Sequence, residues 1–149
     1  LNRMKFVIVR DGETLDVTGR AVTFFDVRST KAPQFGFQMR LAGQGLTFLG
    51  DEPCYESSAA YVKNCDWLLS EAYCLYGERD IHTPYAYHHS TVREASELAE
   101  KYGVKNLVLW HTEDATWPNR RKRYTEESRQ YYSGNIFVPE DLDVIPLND

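Results

Sequence analysis

The sequence predicts an α/β fold in which a mixed sheet starts with antiparallel hairpins and carries helices on one face. Short apolar runs joined by tight turns fill the first third of the chain, and turns of this length connect antiparallel strands. In the second half, apolar strands alternate with amphipathic helices. The 149 residues contain no internal repeat, low-complexity tract or linker, which predicts one domain over 1–149.

The first third is predicted to consist of strands. Lys5–Val9 is an apolar, β-rich run that ends at the hairpin-type turn Arg10-Asp11-Gly12. Leu15–Val27 is a second β region with a turn inside it, and Phe35–Leu41 alternates aromatic and polar residues. A glycine-containing turn then leads into the strand Leu46–Leu49.

The second half brings helices between the strands. The most secure helix is Thr91–Tyr102, because Thr91 and Glu94 form a capping box and Gly103 ends the apolar stripe. The long loop Cys74–Tyr87, rich in Tyr, His and Pro, is predicted to serve function, since such loops are uncommon in compact domains. The other predicted elements are the helices Ser57–Lys63 and Arg121–Tyr132 and the strands Asp66–Ser70, Asn106–Trp110, Ile136–Val138 and Val144–Ile145.

Composition narrows the class of protein. The hydrophobic fraction of 42% and charged fraction of 26% are ordinary for a globular protein, and no apolar run is long enough to span a membrane. Three cysteines without C-x-x-C spacing favour free thiols in a reducing cytoplasm over a disulfide framework. The first residue, Leu1, indicates a trimmed start or a fragment.

Charge argues against a general nucleic-acid coat. The net charge is −5, and the pI is near 5.4. The run Arg120–Arg123 is the local exception, and a solvated helix start is favoured over a phosphate site there.

Two carboxylates follow apolar strands, where ligands collect in layered α/β proteins. Asp51 comes directly after Gly50. Its carboxylate can reach a metal or substrate from the sheet edge, or it can cap a turn. This feature alone favours the turn role. Glu52 is predicted to face solvent. Glu71 follows a buried strand. Its carboxylate is equally expected to form an ion pair with Arg or Lys or to form a hydrogen bond with an imidazole.

Two histidines lie at positions where a ligand or metal can bind. His89 stands directly before the capped helix, near a positive helix terminus that favours phosphate, although packing among tyrosines is the simpler alternative. His111 ends an apolar strand, where a neutral imidazole can bind zinc or form a structural hydrogen bond. His88 adjoins His89, so the two are not expected to bind one metal together. His82 has no supporting context, and no further histidine cluster exists to complete a metal site.

Taken in order, four motifs resemble the second half of the metallo-β-lactamase superfamily, most closely its ribonuclease Z branch. The motifs are Gly50-Asp51, Ser70-Glu71-Ala72-Tyr73, His89-Ser90-Thr91 and Leu107–Thr112, and the resemblance covers roughly Ala21 to Leu147. It implies half of an αββα sandwich. It also implies that Asp51 bridges two zinc ions, that His111 is a terminal ligand, and that Glu71 and His89 form the catalytic pair.

The chain departs from the family pattern in ways that predict an incomplete site. The H-x-H-x-D-H loop that supplies most ligands belongs to an N-terminal half that is missing from this sequence. Arg28 occupies the place of another ligand histidine, and a guanidinium repels zinc. Ser70 replaces the usual histidine before Glu71. With Asp51 and His111 alone, one copy of the chain is not expected to hold two zinc ions.

Three interpretations follow. The chain is a ribonuclease Z-like phosphodiesterase fragment or subunit that is inactive alone, or a degenerate binding or assembly domain in which Arg28 replaces the metal's charge, or an unrelated α/β module. Either of the first two predicts an exposed apolar sheet face that pairs with a complementary N-terminal half or with a second copy. RNA and small phosphodiesters both stay open as substrates.

Overall fold

The structure, a computed structural model, describes residues 5–147 and contains one sheet whose seven strands follow each other in chain order. The first four strands pair antiparallel, and the pairs from the fourth to the seventh strand are parallel. The predicted mixed sheet that starts with hairpins is therefore confirmed. The strands are β1 (Thr14–Val17), β2 (Arg20–Asp26), β3 (Phe35–Leu41), β4 (Gln44–Phe48), β5 (Trp67–Glu71), β6 (Asn106–Trp110) and β7 (Asn135–Phe137).

Helices connect the later strands. The α-helices are α1 (Ala59–Val62), α2 (Arg79–His82), α3 (Val92–Lys101) and α4 (Arg120–Ser128). The capping box predicted for α3 is present, because the Thr91 side chain accepts the Glu94 N–H while the Glu94 carboxylate accepts the N–H of Thr91. No helix between residues 5 and 147 is long and apolar enough to cross a membrane.

The hydrophobic core lies between one face of the sheet and the helices. Side chains alternate along a strand, so Leu68 of β5 shares a face with Leu107 and Leu109 of β6. These leucines are fully buried and belong to one cluster with Val92 and Ala95 of α3. The prediction of helices on one face is confirmed.

The opposite face of the sheet carries an apolar row that crosses six strands. Strand register places each member of the row directly beside the next. The row consists of Phe24, Phe37, Phe48, Leu69, Val108 and Phe137. The half-buried Phe48 ring lies 5.1 Å, centroid to centroid, from both Phe37 and Trp110. None of the six residues belongs to the helix-packed core; Val108 is buried, and the other five are half-buried. We call this surface of the sheet the open face.

Two predicted strands are wrong. Lys5–Val9 forms no strand, because it has no neighbouring strand to pair with, and Phe6 and Ile8 are almost fully exposed. Val144–Ile145 also forms no strand; Val144 is 89% exposed in a segment that follows the edge strand β7.

Other predicted boundaries shift by a few residues. The last helix begins at Arg120 and ends at Ser128 rather than Tyr132, after which single turns continue the chain. The predicted loop Cys74–Tyr87 is not irregular throughout, since α2 and the 3-10 turns Tyr76–Glu78 and Pro84–Tyr87 occupy much of it.

Candidate active site

The segments after β4 and β6 and the segment directly before α3 bring three side chains together at one edge of the sheet. Asp51, His89 and His111 each offer one ligand atom, and these atoms all lie within 4.8 Å of one another. Gly50, with φ +71°, turns the chain after β4, while His111 has φ 51° directly after β6. Left-handed backbone is uncommon outside glycine, and histidine is among the residues that adopt it more readily.

Several polar atoms in this group are buried without a hydrogen bond. Within the described part of the chain, Asp51 Oδ1, His89 Nδ1 and Glu71 Oε2 have no hydrogen-bond partner. His89 Nδ1 lies 3.6 Å from Asp51 Oδ1 and 3.5 Å from Glu71 Oε2, and His111 Nδ1 forms an ion pair with Asp51 Oδ1. Unpaired buried polar atoms are costly, and a cation between them would satisfy them.

This donor set fits zinc. Carboxylate oxygens and imidazole nitrogens are ordinary zinc ligands, and a catalytic zinc takes about three protein ligands. The sequence predicts two ligands, Asp51 and His111, with His89 in a catalytic role. The structure adds His89 to the same group of residues.

Glu71 is fully buried at the end of β5 and is held by the residue after His89. Its Oε1 accepts hydrogen bonds from the Ser90 main-chain N–H at 2.5 Å and from Ser90 Oγ at 2.8 Å. Burial raises the pKa of Glu71 to about 7, while the hydrogen bonds from Ser90 oppose that shift and the charges of Asp51 and Glu52 add to it. Glu71 thus anchors the segment that carries His89.

His89 is enclosed by aromatic rings. It stacks on Tyr73 with ring centroids 5.2 Å apart, and its centroid lies 4.8 Å from that of His111. Burial lowers the pKa of His89; Asp51 opposes this shift, whereas His111 and Lys31 reinforce it. The neutral imidazole is therefore favoured, and this is the form that can bind a metal or accept a proton.

Glu52 is buried, and its predicted exposure to solvent is wrong. Its side chain has 0% exposure, with Oε2 3.4 Å from the Tyr55 hydroxyl and Oε1 without a hydrogen-bond partner within residues 5–147. The backbone takes a left-handed conformation at Gly50, two residues before Glu52, and the charge of Glu52 raises the pKa of the buried Glu71.

Arg28 lies in the loop after β2 and is paired locally. Its guanidinium donates to Asp26 Oδ2 at 3.1 Å and to Asp11 Oδ2 at 3.0 Å. The ion pairs that Asp51 forms within the described chain are with His89 and His111. The replacement of a ligand histidine by Arg28 stays a prediction. Asp26 and Asp11 already balance the charge of Arg28.

The other basic residues of interest are paired individually. Arg121 bonds to the Val138 carbonyl and to Asp143, and Arg123 bonds to Glu78. Lys122 lies 3.9 Å from Glu126. These contacts agree with a solvated helix rather than a phosphate site for Arg121, Lys122 and Arg123.

Sequence reasoning missed a second histidine group. His82 Nε2 lies 4.0 Å from Glu78 Oε2 and 3.9 Å from Glu113 Oε2. The i,i+4 spacing of Glu78 and His82 could have indicated the first of these contacts. Glu113 comes from the loop after β6, and no local pattern connects it with α2.

Comparison with known proteins finds ribonucleases Z among the relatives by sequence. The chain matches no protein-family model. It is 29% identical to ribonuclease Z of Bacillus thuringiensis strain Al Hakam and of Bacillus anthracis over 106 residues, which are 71% of this chain and 34% of each relative. The chain therefore spans about a third of the length of the curated relatives that it matches.

Solved structures share the fold. The metallo-β-lactamase fold protein YhfI from Bacillus subtilis aligns with a TM-score of 0.75 and 16% identity, over 91% of this chain and 53% of that one. The short form of human tRNase Z aligns with a TM-score of 0.65 and 23% identity, over 91% of this chain and 45% of that one. The sequence matches and the fold together relate this chain to ribonuclease Z within the metallo-β-lactamase superfamily.

Proposed function

We propose that this chain is one half of a ribonuclease Z-like metallo-hydrolase that cleaves phosphodiesters, and that it is inactive until a second sheet covers its open face. The observation that carries the proposal is the convergence of Asp51, His89 and His111 at the sheet edge, with buried polar atoms left without hydrogen bonds. Its relatives by sequence are ribonucleases Z, and a diphosphatase of the PhnP family shares its fold.

The chain's own residues divide the chemistry. Asp51 and His111 would hold the metal, since a carboxylate and a strand-end imidazole are suitable ligands. A bound zinc ion supplies a water of lowered pKa and polarises a phosphoryl oxygen. His89, neutral and enclosed by Tyr73, would face the scissile phosphate and exchange a proton with an oxygen of the substrate.

Glu71 positions His89. The buried carboxylate holds Ser90 by two hydrogen bonds, which fixes the backbone directly after His89. Its Oε2 lies 3.5 Å from His89 Nδ1, and a proton on that nitrogen would face this carboxylate oxygen and leave Nε2 free to accept a proton. This arrangement supports the proposed catalytic pair of Glu71 and His89.

The open face supports the need for a second layer. A row of six apolar residues crosses the sheet from Phe24 to Phe137, and a sheet face of this kind is normally covered in a folded protein. The length of the relatives is consistent with such a layer. About two thirds of each ribonuclease Z lies outside the matched region and could form it. We propose that the occupant is a second β-sheet that brings the remaining metal ligands.

The experiment uses the chain in the assembly it forms in its source cells. An affinity tag would recover it, and zinc per chain would be measured together with hydrolysis of bis(p-nitrophenyl) phosphate. We expect bound zinc and activity in the wild type, with both lost on Asp51→Ala and His111→Ala. The control Glu126→Gln changes an exposed carboxylate and should behave as the wild type.

Each outcome bears on the proposal. Hydrolysis that survives Asp51→Ala would place the chemistry elsewhere. A metal-free, inactive assembly would overturn the proposal in favour of the degenerate binding domain predicted from Arg28.

A further inference from the structure

A large cavity adjoins the candidate active site. It has a volume of about 920 Å³ and is bounded by His111, by the segment after β6 and by the segment after β7. Because His111 belongs to both the cavity wall and the metal group, a molecule bound in the cavity would be a direct neighbour of the scissile phosphate. A cavity of this size suits a ligand of nucleoside size.

An exposed indole forms part of the wall. Trp117 is 58% exposed, although tryptophan is usually well buried in monomeric proteins. Its ring offers a flat apolar surface to the cavity, and bases stack on such rings with little regard to sequence.

A guanidinium with spare donors lines the same cavity. The Arg120 side chain is only 15% exposed, yet its one ion pair in the described chain is to Asp114 at 3.9 Å, and Asp114 is fully exposed. No hydrogen bond of Arg120 is found among residues 5–147. A planar group with five N–H donors in this state favours a ligand that presents acceptors in a plane.

The charges of the wall decide between a phosphate and a base. The cavity wall contains three carboxylates in addition to Arg120, namely Asp114, Glu140 and Asp141. A phosphate would be repelled by this surplus of negative charge. A nucleobase is neutral and carries both acceptors and amino donors, so it can bond to the guanidinium and to the carboxylates at once.

We propose that this cavity binds the nucleobase next to the scissile phosphate, with the base stacked on Trp117 and its acceptor edge bound by Arg120. Guanine is the preferred base, because its O6 and N7 accept from a guanidinium while its N1 and N2 donate to a carboxylate. The inference rests on the proposed function, since it places the nucleotide beside the Asp51 group.

The test is calorimetric titration of the recovered assembly with guanosine, uridine and ribose. None of these carries a phosphate, so their binding requires neither metal nor hydrolysis. We expect guanosine to bind more tightly than uridine, and ribose not to bind. Trp117→Ala should weaken guanosine binding roughly tenfold, and Trp117→Phe should restore most of it.

Two further variants make the test specific. Arg120→Gln should reduce the preference for guanosine over uridine, whereas Tyr87→Ala, which removes an aromatic ring of the same 58% exposure elsewhere, should leave binding unchanged. Equal binding of ribose and guanosine, or guanosine binding that Trp117→Ala leaves intact, would overturn the inference. Asp51→Ala should keep guanosine binding, which separates this result from the outcome of the hydrolysis assay.

Discussion

The contact between Ser90 and Glu71 gives the most sharply defined prediction. Ser90→Ala removes the hydroxyl, whose oxygen lies 2.8 Å from Glu71 Oε1 and 3.0 Å from the Glu71 carbonyl oxygen, but leaves the main-chain N–H bond at 2.5 Å in place. Both residues are buried, so water does not replace the lost donor. A buried hydrogen bond to a charged group contributes about 1.5–3 kcal/mol, and we expect the free energy of unfolding to fall by about 2 kcal/mol.

The pH dependence of this loss follows from the pKa of Glu71. Burial raises that pKa from 4.5 to about 7, so the cost of ionising the native carboxyl appears as the pH rises between these two values. The Ser90 hydroxyl stabilises the ionised form. The penalty of Ser90→Ala should therefore be larger at pH 8.5 than at pH 6, because Glu71 is mostly neutral at the lower pH.

Urea denaturation followed by tryptophan fluorescence measures the loss of stability and its pH dependence. A chelator is present to remove any contribution from bound metal. The matched control is Ser133→Ala, which removes an exposed hydroxyl 2.9 Å from Glu100 Oε2 and should cost less than about 0.5 kcal/mol. A loss for Ser90→Ala no greater than that for Ser133→Ala, or a loss equal at both pH values, would refute the reasoning.

The remaining predictions concern the sheet and its surroundings. Phe48→Ser at the centre of the open face should weaken association, measured by light scattering across a dilution series. Gly36→Ala should destabilise the fold by about 1–3 kcal/mol, because a methyl group there would lie 2.6 Å from the Phe25 ring. Asp66→Asn should lower stability at neutral pH but not at the most acidic pH, since the hydrogen bond from Lys105 lowers the pKa of Asp66.

The sign for Asp66 follows from its lowered pKa in the folded state. The ionised carboxylate contributes stability above its unfolded pKa of 3.8, and that contribution is lost as the pH falls through the folded pKa. A wild type and an Asp66→Asn variant that differ equally at every pH would contradict this. Association that is indifferent to Phe48→Ser, or a Gly36→Ala variant as stable as the wild type, would contradict the other two.

Local patterns predicted much of the fold. The capping box of α3 and the apolar run of β6 were correct because their stabilising contacts lie within a few residues of each other. Lys5–Val9 and Val144–Ile145 have comparable apolar character, yet a strand also needs a partner, and neither segment has one in the sheet.

The candidate site was only partly predictable. The placement of Asp51 and His111 follows from the parallel strands, which end at one edge of the sheet. The inward turn of Glu52 depends on the backbone at Gly50, and Ser90 holds Glu71 across 19 residues of sequence. Such contacts depend on tertiary geometry that no local pattern records.

We propose that this chain holds part of a metal centre and needs a second sheet to complete it. The most direct measurement is metal content by mass spectrometry on the isolated chain after gel filtration, with the molecular mass determined on the same sample. We expect less than one zinc per chain and a mass above the 17.3 kDa of the monomer. A 17.3 kDa monomer that retains stoichiometric zinc would contradict the account.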